Sequence, residues 1–207
     1  TKCTGQSSPT PRSPPLRHPD RHVPAIASAR HAALRASRQA GTGSAHGCTP
    51  FVQPNHPALP PLVSEAAQLL AKRTGSGSLG VGLVTAQRID EIVDAVFTAA
   101  HDREIYYAHP PASWGYGQKA RTPGDDLTGR IGTCLDTTLL LASALEHIGI
   151  GPVIWIAYGH AFLGYWRSAN RGLPDAASTQ IAVPANAVDL GLMGVLRPNA
   201  LQPPFDN

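Results

Sequence analysis

Residues 133–149, TCLDTTLLLASALEHIG, limit the possible folds most strongly. Leu135, Leu139, Leu140, Leu141, Leu145 and Ile148 recur at helical spacing but point almost all round the axis. A helix that is apolar on nearly every side has to be surrounded, so it belongs at the centre of a fold. Its ends are marked locally. Thr133 and Asp136 fit a capping box, and Gly149 is a natural stop. With Thr133 as N-cap, Cys134 falls at the first helical position and Asp136 at the third.

What surrounds this helix is legible on both sides of it. Downstream, Val153–Tyr158 is an apolar run and Ala161–Trp166 a second strand, which together predict an antiparallel hairpin. Period-two alternation puts His160, Phe162, Gly164 and Trp166 on one face. Upstream, a helix is expected over Leu62–Lys72, with Pro61 in its first turn and Gly75 past its end. Its apolar face is Leu62, Ala66, Leu69 and Leu70. A second, clearly amphipathic helix starts after Thr85, with Ile89, Ile92, Val93, Val96 and Phe97 as its stripe. The stretch 105–108 reads as a short strand, and 109–132 as one long loop containing Trp114. TQIAVP and LMGVL are further strand candidates. The fold class expected is α+β, a central buried helix packed on an antiparallel sheet, spanning 57–207 with about the last ten residues irregular.

Charge divides the chain. Residues 1–50 hold seven lysines and arginines against one acid, Asp20, whereas the remainder holds ten basic and thirteen acidic residues. With its proline-rich opening and its GTGSAHG stretch, 1–56 reads as a disordered, basic Pro/Ser/Ala-rich arm. The mildly acidic remainder argues against a large nucleic-acid-binding face, leaving the arm as the only segment suited to nucleic acid. No run of eighteen apolar residues predicts a membrane span, and no signal-peptide pattern is visible, so the expected compartment is the cytoplasm. The start at Thr1 rather than Met reads as a processed form or a fragment. Cys3, Cys48 and Cys134 make no CxxC pair, and the nine histidines make no metal cluster, so neither a disulfide framework nor a metal or other cofactor is expected.

A thiol at the first turn of a helix meets free N–H groups and the positive end of the dipole, which favour a thiolate. Cys134 is therefore the candidate nucleophile, and at about 100° per residue it shares a face with Thr137, Thr138, Leu141, Leu145 and Ile148. Asp136 lies nearly opposite and reads as a cap. His160, flanked by Gly159 and Gly164, is the natural general base. Gln118 is a candidate donor to an oxyanion.

The stretches PASWGYGQKARTPGDDLTGRIGTCLDTT and RIGTCLDTTLLLASALEHIGIGPVIWIAYGHAFLGYWR resemble the transglutaminase-like cysteine fold, within the broader papain-like group. The resemblance is closest to the transglutaminase-like module of large bacterial proteins that carry helicase regions. It covers roughly 57–195 and rests on a helix-starting Cys followed, 26 residues on, by Gly-His-Ala-Phe. It implies a cysteine hydrolase or acyl transferase acting on a peptide or γ-glutamyl amide, with Cys134 as nucleophile and His160 as base. By analogy it also implies a peptide or protein substrate and a helicase-type partner. The family's third residue, an acid or amide on the next strand, is expected just after Leu196, where this chain has Arg197 and Pro198. The substitutes are Asp189, Asp175 and Asn186. The alternative is a catalytically inactive module of the same fold that serves binding, linked to nucleic-acid processing or defence.

Overall fold

The computed structural model describes residues 51–82, 84–108, 120–157, 160–169 and 182–196. The first helix, α1 (Leu59–Thr74), carries Pro60 and Pro61 in its first turn and ends at Gly75, whose left-handed φ of 79° returns its N–H to Ala71. The second, α2 (Ala86–His101), starts where the Thr85 side chain accepts the Arg88 N–H. Both present the expected stripes: Leu62, Ala66 and Leu70 on α1, and Ile89, Ile92, Val93 and Val96 on α2, are buried against each other.

The chain then forms β1 (Tyr106–Tyr107), α3 (Pro123–Gly129), β2 (Ile131–Gly132) and the central helix α4 (Cys134–His147). Here the structure corrects the expectation of one loop over 109–132. Thr122 and Asp125 form a reciprocal capping box and Pro123 opens the helix, so a Pro-Gly-Asp-Asp stretch becomes a seven-residue helix. β2 then pairs in parallel with β1, Tyr106 opposite Ile131 and Tyr107 opposite Gly132. Residues 109–119, with Trp114 and Gln118, lie outside the described residues.

The hairpin forms as expected. β3 (Pro152–Ala157) and β4 (His160–Trp166) are antiparallel, and β5 (Met193–Leu196) adds to the far side of β4, giving the order β3-β4-β5. LMGVL thus supplies a strand, whereas of TQIAVP the described part, 182–184, is helical and 179–181 lie outside the described residues. Ala182–Asp189 is a helix, α5, and Pro184 is tolerated in its first turn because N–H groups there have no intrahelical partner.

These elements make a mixed α and β fold with the helix α4 at its centre. The main core joins α1, α2 and α4 to Leu163 and Tyr165 on one face of the sheet. The opposite face carries Trp155 stacked on Phe162, with Trp166 and Met193, under Ala187 and Val188 of α5. Order begins before residue 57. The Gln53 N–H donates to Ser143 Oγ at 3.0 Å, and Val52 packs on the core, so 51–56 lie against α4. The rest of the basic arm, 1–50, lies outside the described residues. Among those that are described, no helix is long and apolar enough to cross a membrane.

Candidate active site around Cys134

Cys134 sits where its local sequence directs it. The Thr133 side chain accepts the Asp136 N–H at 3.3 Å, and Asp136 Oδ2 accepts the Thr133 N–H at 2.8 Å. Cys134 is therefore the first helical residue of α4. Asp136 is a cap, as its position round the helix predicts, and its Oδ1 also accepts the Arg121 N–H at 2.9 Å. The buried Thr138 hydroxyl donates back to the Cys134 carbonyl at 2.6 Å, which leaves no orphaned hydroxyl in the first turns.

The sulfur is fully buried among Leu135, Leu139 and Ala161, with Val52, Tyr107, Ala120 and Ile154 around them. The backbone N–H groups of Ala161, Leu135 and Cys134 itself lie close enough to favour its charged form. Burial pushes the thiol up. These three amides pull it down by less, and the Asp136 charge adds to the upward push. The resting group is thus a neutral thiol, held in a ring of donors that favours any negative charge placed there.

Tyr107 is the residue that sequence reasoning missed. Its hydroxyl is hydrogen-bonded to the Cys134 sulfur, and burial, the Cys134 charge and that bond hold the phenol above its ordinary value. The stretch 105–108 announces a strand but not its neighbour. Only the parallel pairing of β1 with β2 brings Tyr107 beside the start of α4.

His160 is the first residue of β4, opposite Ala157, and is half-buried. Along β4, Ala161 lies with Cys134, Leu163 and Tyr165 face the main core, and Phe162 and Trp166 face the other way. By that alternation His160 leaves the strand on the Phe162 face, opposite α4. Among the described residues its ring makes no hydrogen bond. The fold therefore brings Cys134 to the residue after His160. Among the described residues the ladder to β5 runs from Leu163 to Trp166.

Of the third-residue candidates, Asp189 ends α5 and is exposed, and Asn186 is exposed on the same helix. That helix covers the Phe162 face of the sheet. Asp175, Arg197 and Pro198 lie outside the described residues, as do Cys3 and Cys48. No group of three His, Cys, Asp or Glu side chains that would hold a metal occurs among the described residues. Comparison with known proteins finds no matching family model, no matching curated protein and no matching solved structure.

Proposed function

We propose that this domain is a transglutaminase-like, papain-like cysteine hydrolase or acyl transferase acting on a peptide or γ-glutamyl amide. The observation that carries the reading is the placement of Cys134 at the first turn of α4 with the Ala161 amide on its sulfur, one residue after His160. In this reading the Cys134 thiolate attacks the amide carbonyl and the backbone N–H groups hold the oxyanion. His160 takes the thiol proton and passes it to the leaving amine. Water or a second amine then releases the acyl group from sulfur. His160 must reach round the strand end to do so. The substrate is a peptide or protein and the compartment the cytoplasm.

A second reading, a catalytically inactive module of the same fold that binds a helicase-type partner, is favoured by the complete burial of the sulfur and by the face on which His160 lies. Alkylation with iodoacetamide across pH, with the adduct located by mass spectrometry, separates the two. A nucleophile gives preferential labelling of Cys134, with a midpoint that His160→Asn moves upward. Labelling of Cys3 and Cys48 with Cys134 untouched overturns the catalytic reading.

A further inference from the structure

Behind the Cys134 turn lies a buried acid that the proposed chemistry does not use. Asp126, on α3, is fully buried, and among the described residues neither of its carboxyl oxygens has a hydrogen-bond partner. Its neighbour across the gap is Asp136, itself buried, whose two oxygens are taken by the N–H groups of Arg121 and Thr133. Gly132 separates them. A Cβ there would come within 3.2 Å of Asp126 Oδ1 and 3.4 Å of Asp136 Cβ. Among the described residues, the charged groups acting on Asp126 are Asp136 from α4, Arg121 from the segment ahead of α3, and Asp125 on its own helix, while the titratable His56 lies against α3 at Gly124. β2 contributes only Ile131 and Gly132.

We propose that Asp126 is a proton-operated latch beneath the segment that carries Cys134. With its carboxyl protonated, the 121–136 segment closes on the start of α4. With it ionised, repulsion from Asp136 opens the Arg121 link and loosens the Thr133 cap.

The chemistry of the site supports this. An ionised carboxyl without a partner is costly to bury, and a second carboxylate beside it adds to the cost. Burial first, and then the Asp136 charge, push Asp126 up to about 8, against a smaller downward pull from Arg121 and with a further upward push from Asp125. The closed segment therefore binds a proton that the open segment releases. Since the closed form holds more protons, its advantage is complete below the ordinary carboxyl range and is lost as pH rises to about 8. One proton per closing makes the opening constant rise by up to about tenfold per pH unit in that window, with a plateau above it.

Backbone amide exchange on the full chain between about pH 5.5 and 8.5 tests this, with rates corrected for intrinsic exchange. The Arg121 and Thr133 amides should open more readily than core amides of α2. Their opening constants should climb several-fold per unit, and Asp126→Asn should flatten the climb. A flat wild-type profile, a slope that survives the substitution, or opening only in step with α2 overturns the latch. Should the variant not fold, the carboxyl carbon shift of Asp126 in the wild type decides. A midpoint near 8 supports the proposal, and one in the ordinary carboxylate range overturns it.

Discussion

The Cys134 sulfur faces two opposing effects, and their balance decides its reactivity. Burial opposes the thiolate, while three backbone amides and the Tyr107 hydroxyl offer it donors. Tyr107→Phe keeps the ring that packs beside Cys134 and removes only the donor. The alkylation midpoint of Cys134 should therefore move upward by about half a unit to one unit, a three- to tenfold loss of rate below the midpoint, where the rate still climbs with pH. An unmoved midpoint would mean that the hydroxyl does nothing for the thiolate. At this scale the sequence reveals whatever is decided within a few residues. Thr133, Cys134 and Asp136 take their roles from one turn of helix, so their spacing suffices. Tyr107 and Ala161 reach the sulfur through pairings between distant segments, and no local pattern records those. His160 is a mixed case. Its alternation with Phe162 is plain in the sequence, yet only the packed sheet shows that the Phe162 face is not the one against α4.

Among the elements, α4 depends on its first turn. Thr133→Ala leaves the Asp136 N–H without the side-chain oxygen it now uses, and should cost about 1 kcal/mol. In urea the midpoint should fall with the slope unchanged, and Thr133→Ser should recover most of the loss. Equal stability of Thr133→Ala and wild type would show that the Asp136 carboxylate alone holds the turn. Helices with long apolar stripes were legible because burial selects the stripe directly. α3 was not, because its composition is that of a turn, although Thr122-x-x-Asp125 carries the same capping pattern as Thr133-x-x-Asp136. The segment after 181 misled for the opposite reason. Short apolar runs suit either state, and α5 becomes a helix where Ala187 and Val188 cover the Trp155 cluster.

Across the whole molecule, a polar connection joins the helical layer to the sheet. Asp90 of α2 accepts the Tyr165 hydroxyl and Arg167 Nε, each at 2.9 Å, and pairs with Arg167 Nη2. Arg167 Nη1 continues to the Gly191 carbonyl at 3.0 Å, in the turn that leads into β5. Burial and the Asp90 charge hold the Tyr165 hydroxyl far above the ordinary phenol range, so it stays a neutral donor wherever the protein is folded. The Tyr165 ring lies over Gly194 on β5, where any Cβ would strike it, so the glycine fixes the direction in which the hydroxyl can reach α2. Tyr165→Phe removes one hydrogen bond and should cost about 1 kcal/mol. Asp90→Ala leaves a buried hydroxyl and a guanidinium without their acceptor and should cost more, about 2–3 kcal/mol. Because part of that larger loss is the stranded Tyr165 hydroxyl, the double variant should cost less than the two single losses added together. Strict additivity in urea unfolding would mean that Asp90 and Tyr165 act independently.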